Sequence, residues 1–129
     1  MKILLAVDGS AYTKKMLAYV TTHEELFGGH NDVTLFTVQA PLPPRARAAV
    51  GADVANGYYA DEAAKVTDPV VKFLKRHGME PKVLHKVGQP GEQIAKAASS
   101  GKFDLVVMGS HGHSALGNLV TVSYTHLTL

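Results

Sequence analysis

Apolar residues form two kinds of pattern along this chain: short unbroken runs, and longer stripes at helical spacing. The first run, Ile3 to Val7, is closed by Asp8, Gly9 and Ser10. An apolar run without polar alternation predicts a strand buried on both faces, as in a parallel sheet. Ser10 then suits an N-cap, its hydroxyl accepting from a free backbone N–H of the first turn. Met16, Leu17, Val20 and Phe27 follow at helical spacing, and Gly28-Gly29 supplies a stop. A second strand is predicted from Asp32 to Val38, where bulky Val33, Leu35, Phe36 and Val38 are interleaved with the β-branched Thr34 and Thr37.

From Gln39 to about Gly57 the chain carries Pro41, Pro43, Pro44, Gly51 and Gly57. This predicts a long surface loop, with a short helical turn through Arg45 to Val50. A helix follows from Tyr58 to His77, with Ala63, Val66, Val70, Phe73 and Leu74 on one stripe. Pro69 interrupts it, so either the helix kinks there or Asp68 caps a second helix that begins at the proline. Gly78 closes the segment. Pro81 to Val87 reads as a third strand, and the turn Gly88-Gln89-Pro90-Gly91 opens a helix through Ile94, Ala97 and Ala98. Glu92 falls in its first turn, where the helix dipole favours an anion, and Gly101 stops it. Asp104 to Met108 (DLVVM) is a fourth buried strand, followed by a Gly-rich loop from Gly109 to Gly117. Strands alternating with helices predict an α/β fold, an open parallel sheet with helices on both faces.

Composition narrows the class. The 129 residues are 46% hydrophobic, which excludes a disordered chain, and 19% charged. That length predicts one domain, residues 1–129. Thirteen Lys and Arg against eleven Asp and Glu give a net charge of only +2. The basic residues are scattered, so no nucleic-acid stripe is expected. No apolar run approaches the roughly 18 residues of a membrane helix, and the start is too short and polar for a signal peptide. The absence of cysteine excludes disulfides and thiolate metal sites. Together these predict a soluble cytoplasmic protein.

In open α/β sheets, ligands sit beyond the carboxyl ends of strands where the strand order reverses. Two loops carry residues suited to such a site: Asp8-Gly9-Ser10 after the first strand, and Gly109 to Gly117 after the fourth. Glycines let backbone N–H groups approach an anion. The second loop lacks the Gly-Lys-Ser/Thr ending of a P-loop and the Gly-x-Gly-x-x-Gly of a dinucleotide site.

Three segments carry a family resemblance: ILLAVDGS at the start, VGQPGEQIAKAA, and DLVVMGSHGHSALGNLV. Over roughly Met1 to Val120 the chain resembles the universal stress proteins. The resemblance implies an adenine nucleotide alpha hydrolase-like (Rossmann-like) three-layer sandwich with strand order 3-2-1-4-5. It also implies ATP binding, with or without Mg, and homodimers. The family's motif is Gly-x2-Gly-x9-Gly-Ser/Thr, with an Asp after strand one and a Val near the end of strand two against the adenine. By that resemblance Asp8 and Val38 face the base. Gly109, Ser110, His111 and Gly112 face the ribose and phosphates, and Ser123 matches the final hydroxyl by position.

Beyond Val120 the pattern departs. Val122 stands where the family has its last motif glycine, and residues 121–129 (TVSYTHLTL) alternate like an extended strand rather than the family's helix. This tail looks like a foreign or read-through end joined to a shortened family member, with strand five missing or replaced. A missing fifth strand would leave strand four as a bare apolar edge unless the tail pairs there. Val122 crowds the phosphate position, so weakened nucleotide binding is expected.

Other residues have two readings each. Asp8 is a ligand contact or a cap of the following helix. His111 and His113 are metal ligands or a solvated, phosphate-contacting pair. Arg45 and Arg47 clamp phosphates or a partner, or are simply solvated. Tyr58 and Tyr59 stack on a base or partner, or mark a half-buried loop-to-helix boundary. Ser110 beside His111 is no productive dyad, since adjacent residues seldom form one, and no Gly-x-Ser-x-Gly elbow occurs. The sequence therefore points to an ATP-binding stress-response module that works through dimerisation rather than turnover, with room only for slow hydrolysis. The alternative is a nucleotide-independent interaction protein with a vestigial pocket.

Overall fold

The computed structural model describes residues 1–8, 11–23, 31–109 and 120–124. Strand β1 (Lys2–Ala6) leads into helix α1 (Ala11–Thr22) and strand β2 (Asp32–Gln39). Helices α2 (Pro44–Val50) and α3 (Ala52–Arg76) follow, then β3 (Lys82–Val87), α4 (Pro90–Ser100), β4 (Leu105–Gly109) and β5 (Val120–Tyr124). The strands form one sheet in the order β3-β2-β1-β4-β5. β1 is its centre, with Leu5 opposite Leu35 on one side and Val107 on the other. The first four strands are parallel, as the unbroken apolar runs of β1 and β4 and the alternation of strands with helices predict.

Alternation along β1 divides the core into two layers. Ile3, Leu5 and Val7 pack with Met16, Leu17 and Val20 of α1 and with Val70 and Leu74 of α3. Leu4 points the other way and packs with Phe36, Ala98, Phe103 and Val106. This gives the three-layer α/β sandwich. β3 is an edge strand, and Val83 and Leu84 stay largely exposed. Lys82 and Lys86 lie on the same strand, where charge discourages unwanted pairing at a free edge.

α1 ends at Thr22, well short of Phe27, and Phe27 to Gly29 lie outside the described residues, as does Ser10. The last turn explains the early stop. The Thr21 hydroxyl donates to the carbonyls of Leu17 and Ala18, and the Thr22 hydroxyl to those of Ala18 and Tyr19. Such side-chain bonds compete with helix continuation.

The expected loop up to Gly57 is instead largely helical. α2 has no buried residue, and Gly51, at φ 84°, makes the break before α3. Such a φ is one that residues with a Cβ rarely adopt. α3 then runs 25 residues, through both Gly57 and Pro69, as a single helix. Its buried stripe is Ala55, Tyr59, Ala63, Thr67, Val70 and Leu74, so apolar packing over many turns outweighs the roughly 1 kcal/mol helix cost of a glycine. At its end the N–H of Met79 donates to the Leu74 carbonyl and that of Gly78 to Lys75. This Schellman arrangement, with Gly78 at φ 78°, ends the helix where the sequence predicts.

Tyr59 is buried and Tyr58 exposed, so the pair does not straddle a loop boundary. The Tyr59 hydroxyl accepts from the backbone N–H of Leu42 at 2.8 Å and ties the segment after β2 onto α3. Tyr59→Phe leaves that N–H without its partner and lowers stability by about 1–2 kcal/mol. A urea midpoint comparison checks this.

β5 answers the question of the fifth strand. The tail is extended and pairs with β4, but antiparallel, with Gly109 opposite Val120 and Leu105 opposite Tyr124. Chain length explains the direction. Residues 110–119 join adjacent ends of the two strands, whereas a parallel crossover takes about a dozen residues or more.

Candidate functional site

The sheet order makes β1 and β4 the switch point. The chain moves outward from β1 to β2 and β3, then returns to the other side of β1 as β4. At the carboxyl ends of these strands lies a cavity of about 320 Å³. Asp8 reaches it from the end of β1, Val38 from β2, Met108 from β4 and Ile94 from α4.

Local bonding fixes the β1 end. The Val7 N–H donates to the Phe36 carbonyl at 2.8 Å, carrying the ladder one residue beyond β1. The next residue, Asp8, is clasped by Thr13 of α1. The Asp8 N–H donates to Thr13 Oγ1 at 3.1 Å, and the Thr13 hydroxyl donates to Asp8 Oδ1 at 2.9 Å. Thr13 is buried while Asp8 is exposed, so the carboxylate is anchored at its base and accessible above it. Of its two readings, the structure supports at least a positional one: Asp8 joins β1 to α1 and faces the cavity.

The opposite wall is the start of α4. Gln89 Oε1 accepts from the Glu92 N–H at 2.7 Å, capping the helix, and Pro90 occupies its first turn, where a missing N–H costs nothing. Gly91 adds a wall with no side chain. The result is a slot with apolar sides, Phe36, Val38, Ile94 and Met108, and one carboxylate at its edge. Its volume falls in the range of small-molecule pockets, about 300–1,000 Å³. Chemically the slot suits a flat heteroaromatic ring. Its faces would lie on aliphatic and aromatic carbon, and a ring N–H or amine would donate to Asp8.

The structure therefore brings Asp8 and Val38 together. Gly109 follows the cavity residue Met108 directly at the end of β4. Ser110, His111 and Gly112 lie outside the described residues, as does His113. Ser123 is opposite Val106 in β5, and Val122 opposite Val107. Because β5 runs away from the ligand end, Ser123 sits three residues deeper in the sheet than Val120, about 10 Å by strand rise. Antiparallel pairing thus separates the Ser123 backbone from Gly109, one of the glycines it was expected to accompany. Among the described residues no cluster of three His, Asp or Glu could hold a metal, and no helix is long and apolar enough to cross a membrane.

Reading the sequence did not identify Thr13, Phe36, Ile94, Gly91 or Met108 as site residues. A signal existed for Met108, which is the last apolar residue before the Gly-rich loop, and for Ile94, the first apolar residue of α4. None existed for Thr13, whose role depends on the return of α1 over the end of β1.

The sequence profile of the universal stress protein family matches residues 1–126. The chain belongs to the universal stress protein family. The match runs past Val120, where the pattern departs from the motif, and takes in β5. Solved structures agree. The hypothetical protein MJ0577 is 28% identical, with a TM-score of 0.65 over 89% of this chain and 78% of its own. A family member from Arabidopsis thaliana, solved with AMP bound, is 17% identical, with a TM-score of 0.65 over 89% of this chain and 80% of that one. A universal stress protein in complex with cAMP is 18% identical, with a TM-score of 0.53 over 91% and 82%. At such identities the last two share the fold. No curated protein matches the chain significantly.

Proposed function

We propose that this chain binds an adenine nucleotide in the cavity at the ends of β1, β2 and β4, and acts as a stress-response module by ligand-dependent stabilisation rather than turnover. The observation that carries the reading is the slot that unites Asp8, Val38, Ile94 and Met108 at the switch point. The adenine lies between the apolar walls with its amine toward Asp8, and Gly109, Ser110, His111 and Gly112 are the proposed contacts of ribose and phosphates. The AMP complex and the cAMP complex of the two fold relatives support the choice of an adenine nucleotide. ATP, with Mg on its phosphates, is the proposed physiological ligand. A ligand that binds only the folded state stabilises it by mass action.

The proposed working form is a cytoplasmic homodimer, and equilibrium sedimentation tests it directly: twice the mass of one chain supports the dimer. Calorimetric titration with AMP tests the site. Asp8→Asn retains an acceptor for the Thr13 hydroxyl but loses the carboxylate's charge. A charge-assisted hydrogen bond contributes about 1.5–3 kcal/mol, so AMP affinity is expected to fall by about tenfold or more. Equal affinity in the two proteins would remove Asp8 from the site.

One observation favours a second reading, an interaction protein with a vestigial pocket. The position of the last motif glycine is Val122, and it pairs inside the sheet with Val107. In that case no adenine nucleotide binds at millimolar concentration although the chain folds.

A further inference from the structure

A second concavity lies away from the nucleotide slot. Helices α1 and α3 cover the same face of the sheet, and a groove of about 550 Å³ opens between them. Its floor is apolar: Leu17 and Val70 are buried, and Phe73 is half-buried. Ala18 and Pro69 also line it, and neither side chain is long enough to close the space. From Lys65 to Arg76 the groove follows α3 for about 16 Å at 1.5 Å per residue. It is a trough, not a round pocket.

Its charge is one-sided. Lys14, Lys65 and Arg76 line the groove, and no acidic residue is among the described lining residues. Lys65 is engaged already: Glu62 Oε1 is 2.9 Å from its Nζ and raises the ammonium's pKa. Arg76 forms no ion pair with any described residue. A guanidinium presents two parallel donors that match a carboxylate. An elongated apolar trough with a guanidinium that no described residue pairs, at one end of its α3 wall, complements an amphipathic anion. Among the described residues the slot and the groove share only Thr13.

We propose that this groove binds a monomeric long-chain carboxylate, its alkyl chain along Leu17, Val70 and Phe73 and its carboxylate on Arg76. The anion's head meets a cation with no ion-pair partner among the described residues. Its tail lies over the floor of Leu17 and Val70 and covers the accessible apolar surface of Val66, Pro69 and Phe73.

Titration calorimetry of the full chain with octanoate, decanoate and dodecanoate, each below its micelle concentration, tests this. Saturable binding is expected, tightening about fourfold for each added methylene. Arg76→Gln, an exposed position that leaves the core intact, is expected to weaken dodecanoate about tenfold, and Arg76→Lys, which keeps the charge but loses the paired donors, to recover only part of that affinity. Amide shifts on adding dodecanoate should fall in α1 around Leu17 and in α3 from Lys65 to Arg76. Four outcomes would overturn the proposal. These are no saturable binding, affinity unaffected by Arg76→Gln, shifts confined to Val38 and Ile94, and association only with anionic vesicles.

Discussion

Replacing Phe36 with alanine is expected to lower the stability of the fold by about 3–5 kcal/mol. Phe36 has no exposed surface and packs against Leu4, Ala98, Phe103 and Val106, while its edge forms part of the slot at the ends of β1, β2 and β4. It is the largest fully buried side chain among the described residues. Deleting it removes its transfer free energy and leaves a void beneath a pre-existing cavity, which the central strands are too constrained to close. Against a total stability of about 5–15 kcal/mol, that is a large share. Urea unfolding should show a lower midpoint at an unchanged slope. Val38→Ala, at a partly exposed wall of the same slot, should cost less, about 1 kcal/mol, since part of that side chain is already in contact with solvent. A small loss for Phe36→Ala would mean that the layer between β2 and α4 contributes little to folding.

The second large effect concerns the tail. Substituting a Gly/Ser segment of equal length for residues 120–124 is expected to lower stability by about 2–5 kcal/mol, counting about 0.5–1 kcal/mol for each glycine placed in a strand. It should also produce aggregation. β4 is buried over Leu105, Val106 and Val107, and β5 is its partner on the side away from β1. Without that partner, a row of backbone N–H and C=O groups flanked by apolar side chains becomes a free edge. Light scattering beside a thermal scan separates loss of stability from association. A substituted chain that melts at the parent temperature and stays monomeric would show that β5 adds nothing to the sheet.

These two segments also show how legible the molecule is in its sequence. β1, β2 and β4 are readable because burial on both faces demands unbroken apolar runs, and their flanking Gly, Asp and Ser mark the ends. The extended tail is readable from its alternation, but its antiparallel direction is not. That direction follows from which end of β4 the chain can reach from Gly109. The start of α3 is hidden by Gly57 and by the prolines before it, local signals that tertiary packing of Ala55 and Tyr59 overrides. Tyr59 depends on Leu42, a partner 17 positions away, which no periodicity reports. At the site, Asp8 and Val38 are legible through the family pattern. Phe36 is not, because facing the slot depends on the phase of a pleat.

The most direct test of nucleotide binding is thermal unfolding of the chain with and without millimolar Mg-ATP, beside a Gly112→Val variant. The expected result is a midpoint that rises with ATP and, because Gly112 belongs to the proposed phosphate contact, a rise that the variant loses. A cooperative transition that ATP does not move in either protein would contradict nucleotide binding and leave the vestigial pocket as the better description.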